Sequence, residues 1–289
     1  MKILSIAALG LVALATVPAS AANWSDTLIG YRTSTQYREP AIMGTTEKNI
    51  FTLSHASGWD YGTNFFNVDM LMSTGSDPAV NAKAKSGANE VYVVYRTALN
   101  LGKVFKTDLG FGPVRDLSIT AGGDYNAKDT NFGSKKRFLV LGPTLNFKVK
   151  NGFFDLGLWA CHEQNYNGIT GRSVDFKTTY ILSSAWGVPV TMGPVSAEFK
   201  GYANYVGPKG KDGNGVETVA ETLADVNFLF DVSGLIGRKP KAICLGPGFQ
   251  YWNNKFGGAN YTASASIPFD NFKNNVKVTA LQLVLQVHF

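Results

Sequence analysis

The feature that most constrains this chain is strict period-2 alternation, repeated along most of its length. The last nine residues, LQLVLQVHF, place Leu281, Leu283, Leu285, Val287 and Phe289 on one face. Gln282, Gln286 and His288 lie on the other, with Val284 the one apolar exception. Phe66, Val68, Met70 and Met72 alternate with Asn67, Asp69 and Leu71 in the same way. So do Ala224, Val226, Phe228, Phe230 and Val232 with Asp225, Asn227, Leu229 and Asp231. This is the signature of strands with one apolar and one polar face. A 3.6-residue period is not sustained anywhere after the first twenty residues.

About twelve such segments are predicted, near 25–37, 49–57, 63–73, 89–101, 115–126, 136–149, 152–164, 177–190, 193–206, 222–233, 241–253 and 277–289. Most exceed the about 5–6 residues of an ordinary strand and approach the ~9–11 needed to cross a bilayer at a tilt. The connections fall into two alternating classes. Tight turns occur near Gly58 and at 150–152 and 191–193, whereas long polar loops start at 74, 166, 207 and 254. The two connections at 102–114 and 234–240 are longer than the tight turns but keep the parity. Short turns on one side and long loops on the other is the pattern of an outer-membrane barrel with both termini in the periplasm. A soluble sandwich has no reason to show such parity. The expected fold is therefore an all-β, about twelve-stranded antiparallel transmembrane β-barrel in the bacterial outer membrane.

The N-terminus agrees with export. Lys2 precedes an apolar run from Ile3 to Thr16, and Ala19-Ser20-Ala21 has the form of a signal cleavage site. Residues 1–21 are read as a signal peptide and 22–289 as the barrel. The hydrophobic residues, 45% of the chain, never form a second uninterrupted run, which excludes a helical membrane protein. The formal net charge of +6 is modest for 289 residues and contains no dense basic block, so no nucleic-acid partner is expected. Cys161 and Cys244 are too few for a disulfide framework, and their positions on distant strands predict free thiols.

Two stretches carry a resemblance. NWSDTLIGYRTSTQYREP (23–40) and DLGFGPVRDLSITAGGDYN (108–126) resemble the Tsx-type nucleoside-specific channels of the bacterial outer membrane. The second contains Gly110-Phe111-Gly112-Pro113 followed by Arg115, like the Gly-Phe-Gly-Pro element that precedes a strand in that family. The first holds Gly30, Tyr31, Arg32, Tyr37 and Arg38, like the family's aromatic and basic N-terminal strand. The resemblance implies a monomeric, narrow channel for passive uptake of nucleosides or similar small polar solutes.

Candidate lumen residues follow from strand phase. Arg32, Tyr37 and Arg38 are the best local match to the family. Asp69, Arg96, Asp124, Trp159 and Glu163 are phased inward on the middle strands. Glu198, Lys200, Tyr202, Asp225, Asp231, Gln250 and Trp252 are phased inward on the later ones. Acids and bases are mixed, so no field of a single sign selects an ion. Trp159 and Trp252 are the strongest stacking surfaces for a flat base. Lys83, Lys85, Lys135, Lys136, Lys209 and Lys211 are expected in outer loops, where they meet lipopolysaccharide or solvent. The aromatic C-terminus at Phe289 resembles the signal read by the outer-membrane assembly machinery. No catalytic residue, metal site or cofactor is expected: His55 and Ser57 share a strand face near the wrong end for a lipase of the outer leaflet, and His55, His162 and His288 form no cluster. The alternatives that stay open are a non-specific diffusion porin and a structural or surface-interaction barrel without transport.

Overall fold

The computed structural model describes residues 22–40, 44–77, 87–130, 133–168, 171–193, 195–260 and 276–289. The expected signal peptide, Lys83 and Lys85 lie outside the described residues. Thirteen strands are present among the described residues. They are β1 (Trp24–Tyr37), β2 (Thr46–Trp59), β3 (Gly62–Ser73) and β4 (Asn89–Asn100), then β5 (Val114–Lys128), β6 (Lys135–Phe147) and β7 (Phe153–Asn167). After the short β8 (Arg172–Asp175) come β9 (Thr179–Met192), β10 (Val195–Val206), β11 (Glu221–Asp231), β12 (Ile243–Asn253) and β13 (Val278–His288).

Each strand pairs antiparallel with its neighbours. β6 pairs with β7, and β1 pairs with β13 through Leu28↔His288 to Thr33↔Leu283. The sheet thus closes into a ring of twelve strands, and β8 only extends β7 at the rim as a four-residue flap in the 168–178 connection. Closure removes every free strand edge from the twelve-stranded ring, as lipid requires.

The alternation read in the sequence sorts the two faces. Leu139, Leu141, Leu158, Leu281 and Leu283 are all more than half exposed on the outside, where lipid covers them. Their neighbours Val140, Trp159, Ala280 and Gln282 are buried within the ring. An apolar exterior around a closed barrel makes this an outer-membrane protein. The start of β1 and the C-terminus lie at one rim, where Phe289 N donates to Thr27 O at 2.9 Å and His288 Nδ1 meets Asp26 at 2.9 Å. The tight connections gather at this rim. Asn151, at φ 57°, supplies the left-handed residue that turns β6 into β7. The strand ends from which the long connections leave lie at the opposite, outer rim.

Three features were not predicted. A bulge in β1 between Ser34 and Tyr37 shifts the register, so Arg32 and Tyr37 both point inward despite their opposite parity, while Gln36 turns outward. A one-turn helix, α1 (Leu101–Phe105), opens the 101–113 connection, capped by the Asn100 side chain. The Gly110–Pro113 element forms a tight turn there, closed by Phe111 and Val114, which exchange backbone hydrogen bonds of 3.1 and 2.9 Å. The helix is too short for any periodic signal to announce.

Candidate functional site: the barrel interior

The interior is built in three levels. At mid-height, alternate residues of neighbouring strands bring opposite charges together. Arg32 on β1 meets Asp69 on β3 at 2.5 Å, and Thr52 on the intervening β2 donates to the same carboxylate at 2.7 Å. Arg96 on β4 meets Asp124 on β5 at 2.7 Å, and Tyr92 donates its hydroxyl to Asp124 at 2.9 Å. On the later strands, Asp225 accepts from Asn227 at 2.9 Å and from Gln250 and Gln282 at 3.2 Å each. Asp225 is only 1% exposed, so these bonds replace its water shell. Tyr202, from β10, lies within electrostatic reach of Arg32, Asp69, Asp124 and Asp225 together.

Trp159 belongs to this level but does not stand free in the lumen. Its Nε1 donates to Thr144 at 3.0 Å, and the Arg96 guanidinium sits 5.9 Å from its ring. It packs with Phe138, Val140, Cys161, Ile181 and Val206. A Cβ at Gly157 would collide with the indole, and one at Gly142 with the Leu158 carbonyl and the Trp159 backbone at the root of the ring, so these glycines let the ring lie along the wall. Trp159, expected as a stacking surface in the lumen, is therefore a packed part of the wall.

Nearer the outer rim, Tyr37 is buried with Ile50, Val278 and Ala280, and Leu71 and Trp252 pack against them. Glu39, just beyond β1, is gripped by Lys48 and by Lys255 at 2.9 Å. Lys255 also donates to the Arg38 carbonyl at 2.9 Å and lies 4.8 Å from the Trp252 ring. Burial alone would raise the Glu39 pKa, but Lys255 and Lys48 hold it well below the usual carboxylate range. Burial, opposed by Glu39 and aided by repulsion from Lys48, pushes Lys255 down to about 8. Within electrostatic reach of Glu39, Lys128 contacts Asp77 at 3.1 Å and Glu90 at 3.4 Å.

Lys136 and Lys209 correct the sequence reading. Both were expected to reach outward to lipopolysaccharide or solvent. Instead Lys209 folds inward to Glu163 at 2.6 Å, and Lys136 approaches the same carboxylate at 3.6 Å. The buried Glu163, phased inward, draws them in, because a carboxylate removed from water needs a partner. Lys211 is exposed, and Lys135 extends over the Tyr166 ring at 6.0 Å. At the end that holds the termini, Glu198 pairs with Lys200 at 3.4 Å, and Lys200 reaches across three strand positions to Gln286 at 3.1 Å.

Of the candidate residues, the structure brings Arg32, Asp69, Arg96, Asp124, Trp159 and Asp225 to one level. Tyr37, Trp252 and Glu163 stand above it, and Glu198 and Lys200 below. Arg38 lies past the end of β1 and leaves the wall. Sequence reading missed Tyr92, Lys48, Glu39 and Lys255. Tyr92 shares the parity of Arg96 and was legible. Lys48 lay one residue outside the predicted strand. Glu39 and Lys255 sit in connections, where no period operates. Cys161 and Cys244 are both buried and unpaired, on β7 and β12. His55 faces away from the interior, bonded to Thr27 at 2.8 Å, and His162 pairs with Asp175 at 2.8 Å near the outer rim.

No protein-family model and no curated protein matches the chain. Among solved structures it is similar to the translocator domain of autotransporter NalP from Neisseria meningitidis, at 10% identity and a TM-score of 0.44, over 100% of this chain and 96% of that one. It is also similar to the KdgM porin in complex with disordered oligogalacturonate, at 11% identity and a TM-score of 0.41, over 91% and 99% of the two chains. A third is OccK5 (OpdH) of Pseudomonas aeruginosa, at 9% identity and a TM-score of 0.27, over 94% and 99%. Likenesses this distant add nothing to what the strand pairing already establishes.

Proposed function

We propose that this barrel is a narrow outer-membrane channel for passive uptake of nucleosides or similar small uncharged solutes, acting as a monomer and related to the Tsx-type channels. One observation carries the reading. At mid-height and in the level above it, the Tyr37 hydroxyl, Trp252 Nε1, Asn227 Oδ1 and Gln282 Oε1 are buried and, among the described residues, without a hydrogen-bond partner. Asn227 and Gln282 bond Asp225 at mid-height, and the Tyr37 and Trp252 rings belong to the apolar cluster above them. A nucleoside offers the complement: a flat base to stack and hydroxyls and ring nitrogens to bond. Arg32 pairs with Asp69 and Arg96 with Asp124, while Asp225 is held by the neutral amides of Asn227, Gln250 and Gln282, so acids and bases are mixed in the interior.

Passage requires some of these interlocked side chains to move, and a channel needs sites weak enough for its solute to leave. A general diffusion porin fits less well, because Asp225 and Gln282 are almost closed to water-sized contact. That same closure favours a second reading, a barrel that presents its outer loops without transporting anything. Liposome swelling with adenosine, uridine and a hexose of similar size separates the three. The nucleoside reading expects faster influx of both nucleosides than of the hexose, with the difference reduced in Trp252→Ala. Equal rates for all solutes would leave the general pore standing, and no influx would leave the closed barrel.

A further inference from the structure

At the periplasmic rim, the two longer connections share a composition that the channel reading does not use. The 232–242 turn, between β11 and β12, contains a single 3-10 turn, Ser233–Ile236. Leu235 is 85% exposed and Ile236 58%. Arg238, Lys239 and Lys241 follow, all exposed, with no acid within the turn. The turn is held rigidly. Asp231 accepts from Ser233 N at 3.0 Å and from Lys241 N at 2.8 Å, and Ser233 Oγ accepts from Ile243 N at 2.9 Å. The exposed apolar pair is thus presented by a braced scaffold rather than by a loose loop.

The 101–113 connection, between β4 and β5, also exposes apolar and basic side chains, with one acid, Asp108, among them. Phe105 is 67% and Phe111 57% exposed, flanked by the exposed Lys103 and Lys106. In the ring order the β4–β5 junction and the β11–β12 junction are six strand steps apart out of twelve, so the two lie on opposite sides of the barrel. Each continues directly below the lipid-facing band, which carries Ile119 near one and Phe249 and Leu245 near the other. Large exposed apolar groups beside basic ones, adjoining a surface already in lipid, match the chemistry of the bilayer interface.

We propose that these two connections are interfacial feet. Leu235, Ile236, Phe105 and Phe111 enter the headgroup boundary of the periplasmic leaflet, and Arg238, Lys239 and Lys241, with Lys103 and Lys106, bind anionic phospholipid headgroups. Standing on opposite sides, they fix the tilt and depth of the barrel.

The test uses the full barrel in lipid nanodiscs, with an environment-sensitive fluorophore on a Leu235→Cys variant. Cys161 and Cys244 are buried, so the wild-type barrel serves as the unlabelled control. In discs of phosphatidylcholine with phosphatidylglycerol, the fluorophore is expected to be quenched by spin-labelled lipid and shielded from aqueous iodide. In the Arg238→Gln, Lys239→Gln, Lys241→Gln triple variant, affinity for the anionic lipid should fall about fivefold for each charge removed. Heat-modified gel migration checks that this barrel is folded. Iodide access in both kinds of disc would overturn the proposal. So would shielding that is the same with and without phosphatidylglycerol, or shielding that appears only when a periplasmic extract is added, which would point to a protein partner.

Discussion

At the scale of single residues, Trp159 shows how burial changes a role. Read as one position in an alternating strand, it is a lumenal aromatic. In the folded barrel it is also a packing element, 8% exposed and hydrogen-bonded to Thr144. Trp159→Ala is expected to destabilise the barrel by about 3–5 kcal/mol, the range for removing a large buried aromatic. Trp159→Phe keeps most of the packing but leaves Thr144 without its donor, at a cost of about 1 kcal/mol from the hydrogen bond plus some lost area. Urea unfolding in lipid vesicles, followed by tryptophan emission and gel migration, measures both. An Ala variant as stable as wild type would mean that the indole is not part of the wall. The phase of Trp159 was legible in the sequence. Its burial was not, because the glycines that admit the ring, Gly142 and Gly157, sit on two strands whose register no single strand reveals.

At the scale of elements, the strands were the legible part and the connections the illegible part. Every predicted segment overlaps an observed strand, because period 2 is written into each strand separately. The β1 bulge, the β8 flap and the inward fold of the 207–220 loop depend on contacts between elements. That loop shows the consequence for topology. Gly213 is buried and its carbonyl accepts from Arg172 at 3.2 Å, so a tag there would disturb the fold. A tag inserted between the exposed Asn214 and Gly215 should be reachable by antibody on intact cells, and one at Asn151, in the tight β6–β7 turn, should be reachable only after permeabilisation. The reverse pattern would invert the barrel. The rim cluster around Glu39 carries a pH signature. Lys255 has a folded pKa near 8, below the about 10.4 of an unfolded lysine. Between those values the unfolded chain holds more protons, so this residue makes stability rise as pH climbs from about 8 to about 10.4. Glu39 acts in the opposite range: its depressed pKa stabilises the barrel above the ordinary carboxylate value and is lost on acidification. Lys255→Met should abolish the alkaline rise and also shrink the acid limb, because Lys48 is then the main group holding the Glu39 carboxylate down. Urea midpoints across the pH range test this, and a flat alkaline limb in the wild type would contradict it.

At the scale of the whole molecule, the barrel follows from one rule applied twelve times and one condition applied once. The rule is the apolar-out, polar-in alternation. The condition is that the ring must close, and no local stretch of sequence states which strand is first and which is last. Closure joins Leu28 to His288, residues separated by almost the entire described chain. The other strand pairs link near neighbours along the chain and can form as hairpins, each at a small entropic cost. The β1–β13 seam is the most distant pairing, and it adds nothing until both of its strands are in place. Folding kinetics should reflect this asymmetry. Hairpins can accumulate early, but the edges of β1 and β13 stay open until the final step, and that seam is where an unfinished barrel would capture a strand from another chain.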